Sequence, residues 1–385
     1  MRVMIISHTY VEPINRNKWV ILHKLVPELE TIVITPSSWV DPEFGGKNSV
    51  QDSMAQLHFV PINICGSGYG SRYFFIDPSI YSLIHHFKPD IIQVEAEPWS
   101  LVYIQMVVCR RLFASKARMV CFSWWNSLEW KTPLHFPGSL TFKIGCHATD
   151  LMITGSHFGV DLYRHYGYLG SIDIIPQLGV DTEKYRPSLP DSELVKHYNL
   201  ELNFVIGFVG RLHWRKGIET LLDAVAGLEV SSWKLLLVGD GPQRDKLVAR
   251  AKLLGISERM IITGAIPHQQ MPRYMSIMNL LVLPSTKEQW EQFGHVLIEA
   301  MACGVPVIGS TSGEIPYVIR DAGLVFPIGD VYTLREQITQ LATQPEMAKR
   351  IRLSALRRVK EEYDDEAIAR RLHAAYTKIC PTTIQ

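Results

Sequence analysis

A chain of 385 residues exceeds one ordinary hydrophobic core and fits two domains, each of under about 200 residues. With 47% hydrophobic and 20% charged residues it reads as globular, and 39 Lys plus Arg against 38 Asp plus Glu give a net charge of +1, too little field to draw in nucleic acid. Six cysteines without a CxxC pair argue against zinc or a disulfide framework and for a reducing compartment.

The opening VMII is only strand length and is soon followed by His8, Glu12, Arg16 and Lys18, unlike the apolar core of a secretory leader. A helix is expected near residues 17–26, then the strand TIVITP. Glycine-rich GSGYGSR (residues 66–72) follows no clear strand and opens no clear helix, so it reads as a loop and not as a phosphate cradle. DIIQVE, MVCFSW, LMITGS and DIIPQ then alternate with helix-period segments, the pattern of a parallel sheet wound with helices. Residues 99–120 are apolar early (LVYIQMVV) and basic later (Arg110, Arg111, Lys116, Arg118). Two readings fit that segment: a helix packed on the sheet with a solvated end, or one resting on an anionic membrane surface.

After a polar, proline-bearing segment (residues 181–200) the alternation restarts with NFVIGFVGR, KLLLVGD, RMIITGA, NLLVLPS, PVIGS and GLVFP. The expectation is an α/β protein of two Rossmann-like domains, residues 1–190 and 201–361, followed by a helix within 362–385. No run approaches the roughly 20 apolar residues needed to span a bilayer. A cytoplasmic location follows, with attachment to the inner face of the membrane as an addition to it.

Residues 284–306, PSTKEQWEQFGHVLIEAMACGVP, concentrate the chemistry. Glu291 stands just before an aromatic-glycine step, Phe293-Gly294-His295-Val296, and Glu299 lies inside the helix that the step opens. A helix start of this kind offers backbone amides and the positive end of the dipole to a phosphate, and the glycine lets the ligand come close. Carboxylates suit sugar hydroxyls. Phosphate plus sugar points to a nucleotide-sugar. Upstream, the strand 205–209 ends in Gly210-Arg211 and a helix begins near Lys216-Gly217, placing two cations at a phosphate-receptive strand end.

The spacing of Glu291 and Glu299 within EQFGHVLIEAMACGVPVI resembles the signature of retaining glycosyltransferase family 4, which has the GT-B fold of two Rossmann-like domains facing across a cleft. The resemblance extends through GFVGRLHWRKGIETLLDAV, LLLVGDGPQRDKL, TGAIPHQQMPRYMSIMNLLVLPS and SGEIPYVI, most of the C-terminal half. It implies transfer of a sugar from a nucleoside-diphosphate sugar to a glycan or lipid-linked acceptor with retention of configuration. It implies that Arg211 and Lys216 stabilise the departing diphosphate, that Glu291 holds hydroxyls of the donor sugar, and that Glu299 accepts from the ribose. Gly264, Ala265 and Ile266 match the loop that reads the nucleobase, largely by backbone, while Gly313 and Glu314 match a loop approaching the donor. His295 is expected to contribute its backbone amide and not its ring. The last helix should cross back onto the first domain.

In the first domain the match thins. SHTYVEPINRNKW stands where relatives have a Gly-Gly loop, IIPQLGVD departs at Gln177 and Leu178 from an Asn-Gly-Val-Asp run, and Trp125 and Asn126 replace a histidine. Glu97 and Asn126 are the acceptor-side candidates. Without a DxD triad or an HExxH motif no metal or other cofactor is expected, and the charge of the diphosphate falls to the cations and helix-end amides. The alternative is a noncatalytic subunit that keeps the fold as a nucleotide-sugar-binding scaffold.

Overall fold

The computed structural model describes residues 1–40, 47–50, 58–125, 135–286 and 291–381. Asn126 lies outside them. The chain forms two compact units, residues 1–179 with 365–385, and residues 180–364.

Unit 1 is built on seven parallel strands: β1 (Arg2–Ser7), β2 (Glu30–Pro36), β3 (His58–Ile62), β4 (Ile91–Glu95), β5 (Arg118–Ser123), β6 (Leu151–Thr154) and β7 (Ser171–Ile174). Their order is β7-β6-β5-β4-β1-β2-β3. The central strands are buried almost end to end, because helices cover both faces of a parallel sheet. Alternation decides which face each residue serves. Met4, Ile6, Ile92, Val94, Met119 and Cys121 pack under α2 (Ser79–Phe87), α3 (Leu101–Phe113), α4 (Gly138–Ala148) and α5 (His157–His165). Val3, Ile5, Ile91, Val120 and Phe122 pack under α1 (Asn17–Leu25) and the C-terminal helix Asp365–Ile379. That last helix packs on α1, and its buried Tyr376 hydroxyl donates to Gln93 Oε1 of β4 at 2.6 Å.

Unit 2 repeats the architecture with β8 (Phe204–Val209), β9 (Trp233–Val238), β10 (Met260–Ile262), β11 (Leu280–Leu283), β12 (Val307–Ser310) and β13 (Leu324–Phe326), in the order β10-β9-β8-β11-β12-β13, all parallel. α6 (Ile218–Ala226) follows β8 and α7 (His295–Ala302) follows β11. The polar segment before β8 folds with this unit. Tyr185 is buried in its core, the Val180 amide donates to the Tyr363 carbonyl at 2.8 Å, and Arg273 Nε donates to Asp191 Oδ2 at 2.6 Å. The boundary therefore falls at Gly179, ahead of the proline-bearing stretch.

Candidate active site

The carboxyl ends of β8 and β11 lie side by side where the strand order of unit 2 reverses, the place where open α/β sheets hold ligands. From β8 the chain passes Gly210 and the exposed Arg211, makes a short 3-10 turn (Trp214–Lys216) and enters α6 at Gly217. Glycine is required at 217: φ is 64°, and a Cβ would stand 1.9 Å from the Pro284 carbonyl oxygen. The Thr286 amide donates to the Arg215 carbonyl at 2.9 Å, lacing the loops after β8 and β11 together. Lys216 Nζ is thereby brought 2.6 Å from Glu291 Oε2, which also accepts from Ser285 Oγ at 2.8 Å.

The loop after β12 closes the cluster from a third strand end. Glu314 donates its amide to the Glu291 carbonyl at 2.9 Å, and Gly313, at φ 52°, lies so close that a Cβ would be 2.0 Å from that oxygen. Lys216, Ser285, Glu291, Gly313 and Glu314 are thus one assembly. Among the described residues Glu291 Oε1 has no partner, and Oε2 has two.

Gly294, at φ 75°, precedes α7, and no side chain caps that helix. The partly buried side chains of Phe293 and Val296 pack against the core, Phe293 edge-on to Tyr363 at 5.5 Å. One turn inside, Glu299 is buried and its Oε1 lies 2.9 Å from His268 Nε2 and 3.3 Å from His295 Nδ1. Burial pushes this carboxyl up, but the hydrogen bonds and charge of the two imidazoles outweigh it and hold it at about 2. The His295 ring thus supports Glu299, because residues four apart share one helix face. His268 belongs to the loop after β10, two residues beyond Ile266, and ties Gly264, Ala265 and Ile266 to α7. Tyr185, 3.0 Å from the same imidazole, backs it.

Residues 193–358 match the family described as Glycosyl transferases group 1. The matched segment falls within unit 2. Curated relatives include N-acetyl-alpha-D-glucosaminyl L-malate synthase of Bacillus anthracis, 32% identical over 48% of each chain. A GDP-mannose-dependent alpha-(1-6)-phosphatidylinositol monomannoside mannosyltransferase of Mycolicibacterium smegmatis is 30% identical over 48% of this chain and 50% of its own. The alignments with these two span about half the length of those relatives. Sucrose-phosphate synthase from Thermosynechococcus elongatus superposes with a TM-score of 0.72 at 21% identity, covering 99% of both chains, and the fold is GT-B.

The donor-side candidates all lie in unit 2, within the matched segment, and the acceptor-side candidates belong to unit 1. Glu97 is buried, and its carboxylate accepts from Ser123 Oγ at 2.6 Å, the Trp124 amide at 2.8 Å and the Tyr163 hydroxyl at 3.1 Å. These bonds pin the loop after β4 to the end of β5. Burial raises its pKa to about 7 against the pull of those donors. Glu97, a candidate on the acceptor side, is in this structure a buried loop anchor. Trp125 is likewise core: it stacks on Tyr166 at 5.0 Å and meets Trp99 and Tyr163 edge-on.

Where a Gly-Gly loop was missing, β1 runs into two 3-10 turns, His8–Val11 and Pro13–Arg16, held by Arg16 Nε and Nη2 on the carbonyls of Tyr10 and Val11. Behind them Lys18 is buried, donating to Glu95 Oε1 at 2.9 Å and to the Gln177 carbonyl at 2.8 Å, while Gln177 Nε2 donates to Glu95 Oε2 at 3.0 Å. Burial alone would drive Lys18 down and strip its charge, and Glu95 opposes that. The departure at Gln177 is therefore a component of a buried network. Lys18, Glu95, Ser285 and His268 escaped the sequence reading because no local spacing links 18 to 95 or 268 to 299.

Proposed function

We propose that this protein is a retaining glycosyltransferase that moves a sugar from a nucleoside-diphosphate sugar, held by unit 2, to a glycan or lipid-linked acceptor. The observation that carries the reading is the convergence of Lys216, Ser285, Glu291 and the Gly313-Glu314 loop on the strand ends at the switch point of unit 2. Oε2 of Glu291 fixes the ammonium of Lys216, leaving Oε1 to take donor hydroxyls, while Arg211 and Lys216 meet the negative charge that grows on the diphosphate. Glu299, kept ionised by His268 and His295, is an acceptor for the ribose diol.

In the reaction the bond from the anomeric carbon to the diphosphate oxygen breaks and a bond to the acceptor oxygen forms on the same face. The acceptor proton passes to the departing diphosphate. This scheme uses no protein nucleophile and no metal, so transfer persists in excess chelator. The acceptor is met in the cytoplasm at the inner face of an anionic membrane.

A thermal-shift panel of UDP-, GDP-, ADP- and dTDP-sugars tests the donor, since a ligand bound to the folded state raises the transition in proportion to its affinity. Stabilisation by one nucleotide class supports the reading. No shift with any of them overturns it. NMR of the sugar freshly released by donor hydrolysis, read before mutarotation, tests retention, and an inverted anomer refutes that part.

A further inference from the structure

Helices α2, α3 and α4 lie on one side of the sheet of unit 1, and α2 and α4 both pack on α3. Their outward faces are unusual in two independent ways. First, Tyr81, Leu101, Val108, Leu112, Leu140 and Ile144 are all exposed, Leu112 by 70%. Between α2 and α3 lies a groove of about 600 Å³ whose lining includes Phe74, Ile104 and Phe113 as well as four of those residues. Exposed apolar residues normally occur singly, so a cluster of this kind marks a contact surface. Second, the three helices contain no Asp or Glu, while Arg110, Arg111 and Lys143 are the charges they carry. Lys88 and Lys116, both exposed, stand just beyond the ends of α2 and α3.

We infer that this three-helix face docks on an anionic lipid bilayer, with the Leu, Val, Ile and Tyr side chains at the headgroup boundary and the cations on the lipid phosphates. Apolar residues combined with an excess of cations, here with Asp77 ahead of α2 as a carboxylate at the edge, suit an interfacial surface, because anionic headgroups attract basic side chains. A protein partner would favour charges of both signs at the rim of its footprint. Among the described residues no helix is long and apolar enough to cross a membrane, so contact by this face is peripheral. The inference rests on the lipid-linked acceptor reading above and adds the surface that meets the bilayer of that acceptor.

The test is flotation of the full chain with phosphatidylcholine vesicles, with and without phosphatidylglycerol, at low and high salt. The expected result is binding only to vesicles containing phosphatidylglycerol and release by salt. At low salt Arg111→Ala with Lys143→Ala should weaken partitioning roughly 25-fold, about fivefold for each charge removed, and Leu112→Ser should weaken it as well. Both sites are exposed, so the fold survives, and the nucleotide thermal shift of the variants should equal that of the parent. Absence of flotation at low salt overturns the inference, as does equal binding by the variants. A dimer in solution that Leu112→Ser dissociates also overturns it, placing a second copy on the face. Flotation without any nucleotide shift would instead sink the donor reading and leave the docking face standing.

Discussion

Glu97 lends itself to a quantitative test because its burial has an expected signature in pH. Its carboxyl is 6% exposed and is raised to about 7 from an ordinary 4.5. Since the folded value lies above the unfolded one, the folded state holds its proton more tightly. The contribution to stability is fully present below about pH 4.5 and is lost as pH rises through about 7. At about 1.4 kcal/mol per tenfold in proton affinity, two and a half decades amount to roughly 3 kcal/mol. Glu97→Gln keeps the shape and removes the titration. At roughly 2–4 °C per kcal/mol for a unit of this size, the interval between the Tm values at about pH 5 and pH 8 should differ between parent and variant by roughly 6–12 °C. Other titrating groups are common to both proteins and cancel. Calorimetric scans across that range measure it, alongside KM for the acceptor, which an anchoring residue should leave within about twofold. Parallel Tm curves would refute the burial argument, and a large rise in KM with parallel curves would return Glu97 to the acceptor site.

Further outcomes follow from unit 2. Lys216→Ala and Arg211→Ala should each lower turnover by roughly 10²- to 10³-fold at saturating donor while thermal unfolding changes little, since the Lys216–Glu291 pair is partly solvated. Near-normal steady-state rates would exclude the charge role. Glu291→Gln should depress turnover more than binding of the free nucleoside diphosphate, whereas Glu299→Ala, which leaves His268 and His295 without their acceptor, should mainly weaken binding; titration calorimetry separates the two. Gly313→Ala forces a Cβ against the Glu291 carbonyl at a positive φ, so it should cost about 1–2 kcal/mol of stability for the backbone alone and reduce turnover by displacing Glu291, as thermal scans and initial rates would report.

Periodicity and spacing in the sequence already determined the class of the protein. Short apolar strands alternating with helices announce parallel sheets, because a strand covered on both faces must be apolar along its length, as Val3 to Ile6 and Leu235 to Val238 are. The two glutamates eight residues apart and the Gly210-Arg211 to Lys216 stretch were equally legible, since each sits within one loop-to-helix passage. What the sequence could not carry were contacts between separate strand ends. The Lys216–Glu291 pair spans 75 positions, His268–Glu299 spans 31 and Lys18–Glu95 spans 77. Each depends on which strands become neighbours, and that is decided by the winding order. Burial is collective in the same way: Glu97 and Trp125 look like loop residues with chemistry to offer, and only the packing of Ser123, Tyr163, Trp99 and Tyr166 around them withdraws both from solvent.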